Sequence, residues 1–110
     1  MNHLINLAHE YFNAWNINDV EQLKPLFHED IELTDWDVSV KGFDQVIKTN
    51  DNIFKGAPGI RAEILGMTNN EHTVSAQLRI HIPEKEEAID VVDVITFTNN
   101  KVSSIRAYKG

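Results

Sequence analysis

Leu4, Leu7, Ala8, Tyr11 and Trp15 recur at intervals of three and four, which places them on one apolar stripe of an α-helix with polar residues opposite. The pattern stops at "NIND". Asp19 then stands where a helix cap belongs, with Gln22 three residues on in a capping-box arrangement, and Val20, Leu23, Leu26 and Phe27 supply a second apolar side. Pro25 ends or distorts that second helix, because it brings no N–H and its ring crowds the preceding turn. A short strand is expected at 31–36. Phe43, Val46, Ile47 and Phe54 mark a third helix that gives way to the breaker "KGAPG". Beyond residue 56 the period changes from helical to extended. Runs at 60–68, 72–82, 87–98 and 102–109, separated by "TNNEH", "PEKEEA" and "TNNK", predict four strands in an antiparallel meander. Helices first and strands after make this an α+β chain.

The strands differ in how many faces they ask to bury. In "HTVSAQLRIHI" the apolar Val74, Ala76, Leu78, Ile80 and Ile82 alternate with Thr73, Ser75, Gln77, Arg79 and His81, so one face is core and the other wetter. In "AIDVVDVITF" both faces are apolar, Ile89, Val91, Ile95 and Phe97 on one and Ala88, Val92 and Val94 on the other. Helices can cover only one side of such a sheet. Either more sheet or a second subunit must cover the other side, and a homodimer formed through the sheet is the expectation.

Three polar groups stand on faces that should be apolar. In "IELTDWD", Asp35 shares its strand face with Ile31 and Leu33, and Asp93 shares its face with Val91, Ile95 and Phe97. Tyr11 lies on the stripe of the first helix. A carboxylate aimed inward is costly unless paired, hydrogen-bonded or protonated. Each has a plain structural alternative: Tyr11 as an amphipathic core tyrosine, Asp35 as a turn-former at a strand end, Asp93 as the partner of Arg79 or Arg106 in a buried ion pair.

Composition narrows the setting. One hundred and ten residues, 42% hydrophobic and 25% charged, are a single domain spanning 1–110 with one modest core. A net charge of −7 argues against nucleic acid or an anionic membrane as partner. Absence of cysteine excludes disulfides, thiolate zinc sites and a cysteine nucleophile. The opening residues have no basic leader and no apolar run long enough to span a bilayer, so a cytoplasmic protein is expected. His3, His9, His28, His72 and His81 lack ligand spacing, "FHED" reads as a solvated turn, and no metal is expected. Arg79 and His81 share a polar strand face that should look to solvent; were it turned into a pocket, His81 would be a second acid or base.

The segments "EYFNAWNINDVEQLKPLFHEDIELTDWD" and "DVITFTNNKVSSIRAYKG", with the order of elements between them, resemble the ketosteroid isomerase branch of the NTF2-like (SnoaL-like) superfamily. The resemblance covers nearly the whole chain. It implies a cystatin-like cone, three N-terminal helices on a curved, mainly antiparallel sheet that encloses a pocket. It also implies roles: Asp35 as a base at the end of the first strand, Tyr11 and Asp93 as donors to an oxyanion, with no cofactor. The pocket is expected to draw on Trp15, Trp36, Phe54, Val91, Ile95, Phe97 and Ala107. Trp36 and Asp37 follow Asp35 where the family would have a proline, which makes Asp37 a competitor for the base role and Trp36 a residue of the mouth.

The chemistry explains why such a site needs these three residue types. Moving a double bond into conjugation with a ketone needs a base beside the carbonyl and donors for the enolate oxygen, one of which can be a carboxylic acid kept neutral by desolvation. The expected substrate is a small apolar ketone or steroid-like compound. The alternatives are a non-catalytic dimeric binding or interaction module, in which the same residues close a hydrogen-bond network, and a related dehydratase or cyclase.

Overall fold

The computed structural model describes residues 2–110. Helix α1 (His3–Trp15) begins at Asn2, whose side chain accepts from the backbone N–H groups of Leu4 and Ile5, and it buries Ala8, Tyr11, Phe12 and Ala14. The middle helix is two consecutive 3-10 turns, Val20–Gln22 and Lys24–Leu26. Pro25 explains why it does not become α-helical, and Asp19 caps the N–H of Glu21 rather than reaching to Gln22. Strand β1 (Phe27–Thr34) starts earlier than the apolar pattern indicates, so "FHED" is strand and not turn, and β1 ends one residue before Asp35. A three-residue strand β2 (Ser39–Lys41), too short to show a period, returns against β1. Gly42, with φ of +94°, lets the chain reverse there while its N–H donates to Ile31. Helix α2 (Phe43–Gly56) follows, burying Val46, Asn50 and Phe54.

Strands β3 (Arg61–Asn69), β4 (Thr73–Ile82), β5 (Glu87–Thr98) and β6 (Lys101–Lys109) form the antiparallel meander, and β1 joins it parallel to β6. The six strands run in the order β2-β1-β6-β5-β4-β3. Register shifts at Ile64/Gly66 in β3 and Thr96/Phe97 in β5 bend the sheet around the helices. The side chains of "NIND" tie α1 to the start of β3: Asn16 both donates to Ala62 O and accepts from Ala62 N, and Asn18 accepts from Gly59 N and donates to Ile60 O. The core of Phe12, Leu23, Ile31, Val46, Val74, Leu78 and Ile95 fills the space between helices and concave sheet.

Candidate functional site

A cavity of about 230 Å³ remains where the core does not close. Leu33, Ile53, Leu78, Ile80 and Ile105 give it apolar walls, and Tyr11, Asp35, Asn50 and Asp93 bring polar groups to it. These four come from α1, the end of β1, α2 and β5, so only the tertiary fold assembles them.

Asn50 and Asp93 are the buried polar side chains among the described residues, and both face this one cavity. Burial pushes the Asp93 carboxyl up to about 7, and the negative charge of Asp35 adds to the effect. Tyr11 is 4% exposed, packed at 5.0 Å between ring centroids against Phe12. Its burial, and then the charge of Asp93, hold the phenol well above its ordinary value. The Tyr11 phenol thus keeps its proton at neutrality, and the Asp93 carboxyl keeps its own below about pH 7. The ion pair that would have made Asp93 structural is not formed: Arg79 pairs with Asp90 at 3.0 Å on the opposite face of the sheet, the face that Arg106 shares through its register with Val94.

Asp35 does two things at once. Its Oδ1 accepts from the N–H groups of Asp37 and Val38, both at 2.7 Å, and its own N–H donates to Val38 O, which closes the turn into β2. The carboxylate nevertheless lies on the cavity wall. Asp37 does not; it is exposed and contributes only its backbone N–H to the turn.

Of the expected pocket residues, Trp15, Trp36, Val91 and Ala107 line the cavity. Phe54, Ile95 and Phe97 do not: they are buried in the core behind it, Phe54 edge-on to Trp15 at 5.4 Å. Strand parity puts a residue on the concave side but does not say whether a neighbour stands in front of it. Trp36 is 45% exposed at the mouth, with Lys109 Nζ 5.7 Å from its ring. His81 bonds Glu63 at 2.8 Å and, like Arg79, faces away from the cavity.

Asn50 is the residue that sequence reasoning passed over. It interrupts the apolar spacing Val46, Asn50, Phe54 on the buried side of α2, the same signal of a polar residue on an apolar face that singles out Asp93. Its Oδ1 accepts from the indole N–H of Trp15 at 3.0 Å, and its Nδ2 donates to Val46 O at 2.9 Å.

The profile of the SnoaL-like domain matches residues 8–105. The chain belongs to the SnoaL-like family. Solved structures with this NTF2-like fold include one provisionally described as an isomerase of the SnoaL-like family from Agrobacterium tumefaciens, with a TM-score of 0.83, 16% identity and coverage of 96% of each chain. One provisionally described as a ketosteroid isomerase from Kribbella flavida has a TM-score of 0.81 and 15% identity over 96% of this chain and 76% of that one. One provisionally described as a polyketide cyclase from Sinorhizobium meliloti has a TM-score of 0.84 and 17% identity over 93% of each chain. At these identities the likeness is one of fold. No curated protein matches this SnoaL-like chain.

Proposed function

We propose that this SnoaL-like protein is an isomerase that shifts a C=C bond into conjugation with a ketone by intramolecular proton transfer. One observation carries the reading: a tyrosine hydroxyl, a carboxyl raised to about 7 and a second carboxylate face one apolar cavity. A β,γ-unsaturated ketone enters with its carbonyl oxygen toward Tyr11 and the protonated Asp93. Asp35 takes a proton from the carbon between carbonyl and alkene, and the electron pair left behind delocalises onto the oxygen. The two donors stabilise that enolate in a site where water competes poorly. Asp35 then returns the proton to the far carbon of the dienolate, leaving the double bond conjugated, with no net change of atoms or electrons. Two backbone N–H groups on Oδ1 leave Oδ2 to move the proton.

The cavity volume lies below the roughly 300–1,000 Å³ usual for drug-sized ligands. A compact ketone fits it better than a steroid nucleus. On the convex face of the sheet, Val92 and Val94 stand beside Tyr108, which is 54% exposed, and this patch is the proposed face of a homodimer.

The test is a spectrophotometric assay of purified protein with small β,γ-unsaturated ketones, following the conjugated enone. Product from the wild type and none from Asp35→Asn is expected. Turnover retained by Asp35→Asn contradicts the assignment of the base, and absence of turnover from the wild type across cyclic and acyclic ketones contradicts the isomerase reading.

A further inference from the structure

Asn50 is 3% exposed, and an amide so deeply buried is costly unless its hydrogen-bonding capacity is used. The carboxamide offers two N–H donors and a carbonyl acceptor. Its orientation is not in question, because the Trp15 indole can only donate and so requires the amide oxygen opposite it. Nδ2 therefore sits on the other side, with one N–H on Val46 O. The second N–H is used by no protein group among the described residues, and Asn50 forms part of the cavity wall.

Its place in the cavity is equally specific. Trp15, which holds the amide oxygen, follows Tyr11 by four residues on α1, about 6 Å of helix axis. Ile53, Ile60 and Ala62 are the apolar wall contributed by the neighbouring elements. Asn50 from α2 and the pair Tyr11 and Asp93 from α1 and β5 thus bring hydrogen-bonding groups to one cavity whose wall also includes the apolar Ile53, Ile60 and Ala62.

We infer that Asn50 is a specificity residue that hydrogen-bonds a second oxygen of the substrate, so the preferred substrate is a compact ketone bearing another hydrogen-bond acceptor, a hydroxyl or carbonyl oxygen, across an apolar spacer. This rests on the proposed function, since it takes Tyr11 and Asp93 as the site of the reacting carbonyl. Trp15 acts through Asn50 as a positioning residue.

Two phenols separate the inference from that reading. A phenol presents the reacting end with an enol-like oxygen; 4-acetylphenol adds an acceptor at the far end, and 4-isopropylphenol replaces that oxygen with a methyl group of similar shape. Affinities are measured by calorimetry for the wild type and Asn50→Leu, and the side-chain NH₂ resonances of Asn50 are followed by NMR in the wild type. Their different acidities act on both proteins alike, so the change in the affinity ratio reports on Asn50. The expected result is a ratio favouring 4-acetylphenol by about fivefold more in the wild type than in Asn50→Leu, with an Asn50 NH₂ shift for 4-acetylphenol alone. Equal ratios with an unmoved NH₂ overturn the inference while leaving the oxyanion donors standing. Binding of neither phenol overturns both. If Asn50→Leu does not fold, the wild-type NH₂ shift decides.

Discussion

Asp35 and Asp93 approach the cavity from either side of β6, the strand that carries Ala107. Asp93 pairs with Ala107 across β5 and β6, while Thr34, the residue before Asp35, pairs with Arg106, the residue before Ala107, so β6 lies between the two. Two strand spacings, about 10 Å, therefore separate the two carboxyl-bearing backbones. The smallest side chain that still has a Cβ leaves the floor between them open. Ala107→Leu is expected to fill that floor: stability stays within about 1 kcal/mol of wild type because the added carbons enter open space, whereas affinity for 4-isopropylphenol drops at least tenfold. Calorimetry and denaturant unfolding check the two halves.

The raised Asp93 carboxyl gives stability a pH dependence of defined sign. Its value rises from 3.8 to about 7 on folding, so the folded protein keeps a proton that the unfolded chain releases. The contribution is fully present below about pH 4, is lost as pH climbs to about 7 and is flat beyond. At about 1.4 kcal/mol per unit the full loss is on the order of 4 kcal/mol. Asp93→Asn has no proton to lose, so its unfolding free energy relative to wild type should improve between about pH 4 and 7 and level off above in urea titrations.

The turn at Asp35 separates its structural part from its chemical one. Asn keeps the oxygen that accepts from Asp37 and Val38 N–H, whereas Ala removes it. Asp35→Asn is expected to unfold within about 0.5 kcal/mol of wild type, and Asp35→Ala to lose on the order of 1–2 kcal/mol, since two bonds to backbone donors disappear. Equal destabilisation of both variants contradicts the turn as described.

For the convex face, Val92→Lys places a charge among Val94 and Tyr108. Light scattering should then give the monomer mass, against twice that mass for wild type, with circular dichroism unchanged. A monomeric wild type contradicts the proposed interface.

The chain order of elements and the meander were legible because period-2 and period-3.6 spacing persist over long runs: the four expected strands agree with β3 to β6 to within one residue at each end. What escaped was short or non-local. Strand β2 has three residues, and the second helix became 3-10 turns because a proline overrides an apolar spacing that otherwise fits. Tyr11, Asp35 and Asp93 stood out as polar groups on apolar faces. Phe54, Ile95 and Phe97 were misplaced because depth behind a wall depends on packing between elements. Asn50 carries the same signal in its spacing with Val46 and Phe54, but an amide is uncharged and can bond the backbone of its own helix, so its position on an apolar face does not by itself demand a partner or a function.

The central claim is that Asp93 acts as a protonated donor beside Tyr11 while Asp35 moves the proton. The pH profile of kcat/KM for enone formation, which reports the free enzyme, tests it most directly when wild type and Asp93→Asn are compared. The account predicts a wild-type profile that falls above about pH 7 as Asp93 ionises, and a smaller but level profile through that range for Asp93→Asn, whose amide still donates. A wild-type profile level through pH 7 to 9, or the same fall in Asp93→Asn, would contradict it.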